Sequence, residues 1–442
     1  MSQATAHRGP IHLGEILALA LPATASAVIH HAYRPLDQFF VQDLGKEAQG
    51  GLGACTFVLI FVYASFVLVS HGAAPIIGRC TGAGDHQQRR EVLGQALFSC
   101  GFVALGLFFA GLLTVSFIPP LLGLQGLAAS HAESYLRWIF LTGGALVVAP
   151  LVDGAFHAMG NTRLPMVLQG LGLGLNALLN PLLIYSAGLG TMGAALATTL
   201  SQTLVVGIGL VWLIRATALR RQDVTPGPHV RRLLALGAPV AASTGAYAAV
   251  YWAMLRTSIT PLGDDVIAGL GIGFSALEAV SWPLYVGCSV AVSSLVGRRL
   301  GAGQPDEAWQ AVRWLSMPSI ALGTVCGLVF AFGGPTLVDV FTSDPGATRE
   351  AILYASILAW SQPFVAIEAL TEGILGGAGD TRKLFWGTVP FNLARVPLAW
   401  LFAFPLGMGA AGIWWAINLT TITKAALKTW FVWRGDWSRL AI

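Results

Sequence analysis

The feature that most constrains this chain is a series of twelve long apolar stretches, separated by short polar or turn-forming segments. An α-helix rises about 1.5 Å per residue, so about 20 mostly apolar residues are needed to cross the hydrocarbon core of a bilayer. The stretches lie near residues 14–42, 52–75, 93–117, 134–158, 165–187, 191–214, 233–259, 266–292, 311–333, 349–376, 384–404 and 408–432. The pattern predicts twelve transmembrane helices.

The composition agrees with residence in a membrane. Only 10% of the 442 residues are charged and 55% are hydrophobic, whereas about 25% of an ordinary soluble domain is charged. So few polar groups exclude a soluble multi-domain protein, extended disorder, a secreted disulfide scaffold and a nucleic-acid binder. The five cysteines form no CxxC pair, so neither a metal centre nor a disulfide framework is indicated. The predicted fold class is an all-α polytopic membrane protein.

The Lys and Arg residues orient the predicted helices. Cytoplasmic loops of membrane proteins are enriched in these residues. If both termini are cytoplasmic, nineteen of the 25 Lys and Arg residues fall on the cytoplasmic side. These are Arg8, Arg79, Arg89, Arg90, Arg163, Arg215, Arg220, Arg221, Arg231, Arg232, Arg298, Arg299, Arg313, Arg382, Lys383, Lys424, Lys428, Arg434 and Arg439. The bias predicts an even number of helices with both termini in the cytoplasm.

The chain also contains an internal repeat. Three segments of the first half recur in the same order in the second half, at offsets of 219, 219 and 216 residues. The pairs are 78–84 (GRCTGAG) with 297–303 (GRRLGAG), 160–163 (GNTR) with 379–382 (GDTR), and 192–195 (MGAA) with 408–411 (MGAA). We therefore predict an N-lobe of six helices (residues 1–214), a cytoplasmic linker (residues 215–232) and a C-lobe of six helices (residues 233–442).

An even number of helices in each lobe means that both lobes cross the membrane in the same orientation. The repeat is therefore parallel, with its axis along the membrane normal. Transporters built from such halves place the substrate between them and expose it alternately to the two sides. The sequence thus favours a transporter. It contains no Walker motif, no dinucleotide-binding motif and no HExxH motif, so ATP-driven transport by this chain is not indicated.

These motifs resemble those of the multidrug and toxic compound extrusion family, over essentially the whole chain. The repeated loop motifs are similar to those after the second and fourth helices of each family half. Residues 395–398 (RVPL) and 412–416 (GIWWA) resemble the family's eleventh and twelfth helices. The resemblance implies two six-helix lobes around a central cavity. It also implies efflux of organic, often cationic, compounds in exchange for protons or sodium, without a cofactor, by a monomer in the bacterial inner membrane.

The resemblance further suggests a polar cluster in the N-lobe, which carries the coupling in the prokaryotic proton-driven branch of the family. This chain has Asn180 where that branch has a second carboxylate, and Asp153 where the family tends to have an asparagine. The predicted ion-coupling residues are Asp37, Asp153, Asn176, Asn180, Thr198 and Glu278. The predicted substrate-binding residues are Tyr33, Tyr135 and Arg395.

Asp37 is the strongest of these candidates, because ionisable groups inside a membrane are costly and tend to mark functional sites. A carboxyl group removed from water favours its protonated form, so it could accept a proton on one side of the membrane and release it on the other. Arg34 lies three residues earlier on the same helical face. A structural ion pair between Arg34 and Asp37 is therefore the alternative.

Other polar residues of the N-lobe also leave two interpretations open. Asp153 could be a partner acid, but its repeat mate is Glu372, which equally allows a shared structural role. Asn176 and Asn180 lie one turn apart and could order a cation or water, although an amide cannot carry a titrating proton. A purely structural role for the two asparagines is the alternative.

Two charged residues of the C-lobe stand out for similar reasons. Glu278 has Leu59 as its repeat mate, so the acid is not inherited from the repeat, and a role in coupling or in recognising substrate charge is favoured. Arg395 lies at the centre of its helix and must pair with a carboxylate or bind an anion. A structural pair with Glu278, Glu368 or Glu372 is the alternative to substrate binding.

The sequence leaves three functions in view. The favoured one is a secondary active antiporter that exports small organic compounds in exchange for protons or sodium. A flippase or exporter of a lipid-linked or specific biosynthetic metabolite would need basic residues along the cavity, for which Arg34, Arg256 and Arg395 are the candidates. A membrane-embedded enzyme that uses the histidines of the first helix or His157 is a remote third.

Overall fold

A computed structural model describes residues 12–442. Residues 1–11, which include Arg8 of the predicted cytoplasmic set, lie outside the described residues. Helices account for most of the described chain, and no strand occurs within it. The helices of the first half are α1 (Leu13–Val41), α2 (Lys46–Ala83), α3 (His86–Thr114), α4 (Ile118–Leu121), α5 (Gly126–Thr142), α6 (Gly144–Ala158), α7 (Arg163–Pro181) and α8 (Gly190–Thr217).

The second half follows a similar order. Its helices are α9 (Pro228–Met254), α10 (Asp264–Ile272), α11 (Ala279–Gly301), α12 (Pro305–Leu328), α13 (Gly334–Asp339), α14 (Pro345–Leu358), α15 (Gln362–Ala378), α16 (Thr381–Ala403) and α17 (Gly409–Arg434). Short π-helical turns extend some of these helices, and one of them, Gly273–Glu278, joins α10 to α11.

Each of the twelve predicted stretches falls on one helix or on one run of consecutive helices. Within the described residues, nine segments have the length and hydropathy of a membrane span, and α5 with α6 forms a tenth that bends by 60°. The helices α16 and α17 have 23 and 26 residues, which is enough to cross a hydrocarbon core of about 30 Å. The predicted all-α polytopic membrane fold is confirmed.

Packing divides the described chain into two compact units. The N-unit is Ala25–Ala241, and the C-unit combines Ala242–Ile442 with the described residues up to Thr24. The helices α1 and α9 therefore each contribute residues to both units. The predicted N-lobe, linker and C-lobe, which follow chain order, stay a prediction.

The repeated loop motifs mark helix ends. Gly84 follows α2 with a φ of 71°, and its repeat mate Gly303 has a φ of 72°. Gly160 and Gly379, the second pair of mates, have φ values of 83° and 84°. Glycine adopts this left-handed conformation without the clash that a Cβ atom would cause. The repeat thus preserves the chain reversals between helices in both halves.

Each unit has its own apolar core. In the N-unit, Leu52 and Leu136 belong to a buried cluster between α2 and α5. In the C-unit, the rings of Tyr354 and Trp414 pack edge to face with their centroids 4.9 Å apart. Large apolar side chains also face outward, as Phe332 does with 80% of its surface exposed. Such exposure is expected where lipid rather than water surrounds the helices.

Candidate functional site

Four side chains from three helices of the N-unit meet at the carboxylate of Asp37. Asp37 on α1 accepts hydrogen bonds from Nδ2 of Asn176 and Asn180 on α7, at 3.3 and 2.9 Å. The hydroxyl of Thr198 on α8 donates to the second carboxylate oxygen at 2.9 Å. Asn180 also donates to Oδ1 of Asn176 at 3.1 Å. These four residues, here called the Asp37 cluster, are all members of the predicted ion-coupling set.

The Asp37 cluster is buried, and all of its hydrogen-bond donors are neutral. Asp37 is 7% exposed and both asparagines are 0% exposed, so the three donors offset part of the cost of removing the carboxylate from water. Oδ1 of Asn180 accepts no hydrogen bond from the described residues. A proton on Asp37 or a cation held by oxygen ligands would both suit these groups. No group of three His, Cys, Asp or Glu residues in the described chain could hold a metal ion.

Arg34 does not form the ion pair with Asp37 that the sequence left open. The Arg34 side chain is exposed, whereas the Asp37 carboxylate is engaged by two amides and a hydroxyl group. Within residues 12–442, no ion pair of 4.0 Å or less includes Asp37. The carboxylate can therefore gain or lose its charge without breaking an ion pair.

The two predicted substrate-binding tyrosines of the N-unit have different surroundings. The hydroxyl group of Tyr33 on α1 is directed at Gly172 of α7, and Tyr33 interacts electrostatically with both Asp153 and Asp37. Tyr135 on α5 belongs instead to the buried apolar cluster between α2 and α5. Both tyrosines are buried and interact electrostatically with Asp37; Tyr33 also interacts with Asp153, whereas Tyr135 also packs in the apolar core.

Asp153 belongs to a second polar group of the N-unit. Its Oδ2 atom accepts a hydrogen bond from Nε2 of Gln169 on α7 at 2.9 Å, and Gln169 also interacts with His30 on α1. None of the hydrogen bonds described for Asp153 comes from the Asp37 cluster. Asp37 and Asp153 are therefore two acids of the N-unit that have separate neutral amide donors.

Arg395 in the C-unit is surrounded by hydroxyl groups. Its guanidinium donates to Thr420 at 3.0 Å, to Thr421 at 3.2 Å and to Tyr251 at 3.4 Å, and the residue is only 2% exposed. The structural pair with a glutamate, considered from the sequence, is not formed within 4.0 Å among the described residues. The reason is that α17 presents two threonine hydroxyls to Arg395, and Glu278 acts on it only electrostatically.

Glu278 is half-buried at the end of the π-helical turn between α10 and α11. Its Oε1 atom accepts a hydrogen bond of 2.5 Å from the hydroxyl group of Tyr354 on α14. Tyr354 is itself fixed against Trp414. Glu278 thus has a neutral donor, as Asp37 does, although it has one instead of three.

The C-unit also contains a buried ion-pair network that the sequence reasoning missed. Nζ of Lys428 lies 3.0 Å from Glu368 and 2.6 Å from Glu372, and Nζ of Lys424 lies 2.8 Å from Glu368. Lys428 is 0% and Lys424 is 5% exposed. Both lie within α17 and pair with acids of α15, and their place on the cytoplasmic side of the membrane stays a prediction. The matching spacing of four residues on each helix was the available signal.

The sequence and its relatives agree with this architecture. The family model described as MatE matches residues 22–182 and 244–416, which is more than half of the chain. The probable multidrug resistance protein NorM of Thermotoga maritima is 27% identical over 437 residues, which cover 97% of this chain and 94% of the relative. The FAD transporter of Shewanella oneidensis is 24% identical over 92% of this chain and 91% of the relative.

Two solved structures have the same fold. A MOP superfamily transporter from Pyrococcus furiosus aligns with a TM-score of 0.90 and 20% identity, over 97% of this chain and 96% of the other. A multidrug resistance MATE family transporter in an outward-facing conformation aligns with a TM-score of 0.89 and 20% identity, over the same shares. The match to a family of transporters excludes the third function considered from the sequence, a membrane-embedded enzyme. The chain belongs to the MatE family, the multidrug and toxic compound extrusion transporters.

Proposed function

We propose that this protein is a secondary active antiporter that exports small organic compounds in exchange for protons or sodium ions. The observation that carries the proposal is the buried Asp37 carboxylate with its three neutral donors. Such a carboxylate can either hold the coupling ion or be free of it, and each of these states favours a different conformation of the transporter. Coupling follows when the ion and the substrate favour opposite conformations.

Either coupling ion is compatible with the side chains of the Asp37 cluster. A proton would reside on Asp37, because Asn176, Asn180 and Thr198 do not titrate near neutral pH. A sodium ion would take oxygen ligands, for which the carboxylate and the unused Oδ1 atom of Asn180 are suited. We further propose that Asp153 and Glu278 respond to the same ion, since each also accepts a hydrogen bond from a neutral donor.

The proposed substrates are amphipathic or cationic organic molecules. Tyr33 borders two acids, and a tyrosine ring beside carboxylates suits an organic cation through cation–π and charge attraction. Tyr135 would support the position of this ring from the core of the N-unit, and Arg395 would meet a polar or acidic group of the substrate. The naming of the Thermotoga maritima relative as a probable multidrug resistance protein points the same way.

Export of a specific anionic metabolite is the second candidate. It is favoured by the match to the FAD transporter of Shewanella oneidensis and by the exposed side chains of Arg34 and Arg256. A lipid-linked precursor would require the same basic groups. The cationic substrate remains the first candidate, because two acids interact with Tyr33, whereas a buried basic group such as Lys428 is already paired with acids.

The proposed setting is the plasma membrane of a bacterium. The similar multidrug resistance proteins come from bacteria, and the Lys and Arg distribution favours both termini in the cytoplasm. We propose a monomer as the functional form, as the family resemblance implies.

Transport by vesicles that contain the purified protein tests this proposal. A fluorescent organic cation is loaded, and a proton gradient and a sodium gradient are imposed in separate experiments. We expect one of the gradients to drive efflux and Asp37→Asn to abolish it. Glu47→Gln is the matched control, because it removes an exposed carboxylate near the start of α2 and should leave efflux unchanged.

The outcomes separate the parts of the proposal. Full gradient-driven efflux by Asp37→Asn would refute the assignment of the site. Absence of cation efflux under both gradients, together with transport of loaded FAD, would replace the first candidate with the second.

A further inference from the structure

Gln169 lies between two titratable groups that the proposed mechanism leaves unconnected. Its Nε2 atom donates to Asp153 at 2.9 Å, and its side chain also interacts with His30. Gln169 is 3% exposed, yet its Oε1 atom makes no hydrogen bond of ordinary geometry with the described residues. The donor end of a buried amide is therefore engaged by an acid, while its acceptor end remains available.

The packing of α1 against α7 holds Gln169 opposite His30. Gly170 faces the side chain of Ile29, and Gly172 faces the hydroxyl group of Tyr33. The absence of a side chain matters at Gly172, where a Cβ atom would collide with the hydroxyl group of Tyr33, whereas a Cβ atom at Gly170 would only make ordinary contact with Ile29 at 3.8 Å. Gln169 is thus fixed beside the segment of α1 that carries His30.

An amide can report the protonation of two neighbours, because it has a donor group and an acceptor group on opposite sides of one carbon. When Asp153 is charged, the NH2 group of Gln169 donates to it and Oε1 can accept a proton from a protonated His30. When Asp153 is protonated, its O–H group donates to Oε1 of the reversed amide, and the NH2 group donates to neutral His30. One proton has moved from imidazole to carboxyl, and the total charge is unchanged.

We infer that Gln169 is a positioning residue that couples the protonation of His30 to that of Asp153, so that the two share one proton. The inference rests on the proposed function, since a shared proton matters to transport only if the protein is ion-coupled. It adds to that proposal a path between an exposed histidine and a partly buried acid. Sequence alone did not single out Gln169.

The charges around the pair favour one position of this proton. Arg34 and His31 on α1 interact electrostatically with His30, and Arg34 repels a positive charge there. Tyr33 on α1 and Tyr63 on α2 are the groups that interact electrostatically with Asp153. His157 lies one turn further along α6. With a fixed cation near His30, the shared proton should reside on Asp153 more often than on the imidazole.

A double-mutant cycle on the purified protein tests the coupling. The protonated-carboxyl infrared band that disappears in Asp153→Asn is followed against pH. We expect His30→Gln to move the midpoint of this band by about one pH unit in the wild-type background, the size of one charge-assisted hydrogen bond. In the Gln169→Met background, which removes the amide at similar volume, the same change should move the midpoint by less than half as much. His71→Gln is the histidine control and should move it in neither background.

Equal shifts in the two backgrounds would overturn the inference. If Gln169→Met does not fold, the pH profile of vesicle efflux provides a second reading with other variants. His30→Gln and Asp153→Asn should each shift that profile, and the double variant should show less than the sum of the two shifts. Additive shifts would also overturn the inference. If the infrared band shows coupling between His30 and Asp153 but the wild-type protein shows no gradient-driven efflux, the proposed function is refuted and the inference about Gln169 stands.

Discussion

Asp37 of the N-unit and Glu368 of the C-unit are held in opposite ways. In the N-unit, Asp37 is bound only by amide and hydroxyl groups, and it is 7% exposed. In the C-unit, Glu368 is 8% exposed but forms ion pairs with Lys424 and Lys428, which are themselves buried. The two carboxylates are almost equally buried, and the charge of their partners is what differs.

This difference separates a group that can change its charge from one that cannot. Removing one member of a buried ion pair leaves the other charge uncompensated, which typically costs about 3–5 kcal/mol. Protonation of Glu368 would leave Lys424 in that position, while Lys428 would keep Glu372 as its partner. Protonation of Asp37 leaves only neutral groups, whose hydrogen bonds can rearrange. Burial alone therefore does not identify a coupling acid.

The largest expected effect comes from exchanging the acid for its amide in each unit. Asp37→Asn should abolish gradient-driven efflux and leave the thermal unfolding temperature nearly unchanged, because neutral donors remain next to a neutral amide. Glu368→Gln should have the opposite effects. It should lower the thermal unfolding temperature, while efflux by the protein that remains folded should still depend on the ion gradient. Vesicle transport and thermal unfolding in detergent measure the two effects. Loss of ion dependence in Glu368→Gln would remove the distinction between Asp37 and Glu368.

Lys428→Met should destabilise the C-unit, because it leaves Glu372 without a partner and Glu368 with one. The loss should be smaller than the roughly 3–5 kcal/mol typical of a fully buried broken pair, since the Glu372 side chain is 36% exposed and can be solvated. The double variant Lys428→Met with Glu372→Gln removes one charge of each sign and should recover at least half of that loss. Denaturant unfolding measures both. If the double variant is no more stable than Lys428→Met, the network is not acting as a set of compensating charges.

Thr198→Val should weaken ion coupling without abolishing it. It removes one donor to the Asp37 carboxylate, and a hydrogen bond to a charged group contributes about 1.5–3 kcal/mol. The ion concentration for half-maximal efflux should change by about tenfold or more. Thr203→Val is the matched control on the same helix, because the hydroxyl group of Thr203 bonds only to the carbonyl of Thr199 in the described structure. An equal effect of both variants would contradict a specific role for Thr198.

The smallest expected effect concerns a feature that the two halves share. Gly84→Ala and Gly303→Ala each place a Cβ atom on a residue with φ near 70°, which costs about 1–2 kcal/mol. Because the two glycines are repeat mates with no contact to a Cβ at either position, the two losses should be equal. Unfolding measurements on the single variants check this symmetry, and a difference larger than about 1 kcal/mol would count against it.

The helices could be predicted from the sequence because length and apolar character suffice for a bilayer span. The Asp37 cluster could be predicted too, but only in part from physics. Polar side chains such as an aspartate or an asparagine are unusual inside apolar helices, so each could be noticed in the sequence. The prediction that the four residues lie together came from the resemblance to known transporters. The hydrogen bonds now supply the physical reason, since each neutral side chain satisfies the same carboxylate.

The ion-pair network could not be predicted by the same rules. Lys424 and Lys428 lie near the end of an apolar stretch, where a rule that counts positive charges assigns them to the cytoplasm. Their burial depends on the acids of a different helix, about 60 residues away in sequence. The partners of Arg395 were hidden for the same reason, because its threonine hydroxyls lie on a different helix, α17.

The ion pairs of Glu15 bear on how the protein is made. Glu15 near the start of α1 contacts Arg298 and Arg299 at the end of α11, and the chain between Glu15 and Arg299 is 284 residues long. The first turns of α1 belong to the C-unit, so during synthesis they emerge long before their partners exist. The ion pairs of Glu15 can form only after α11, which carries Arg298 and Arg299, has been synthesised and inserted. Completion of the C-unit therefore depends on the first turns of α1 as well as on helices that follow α8 in the chain.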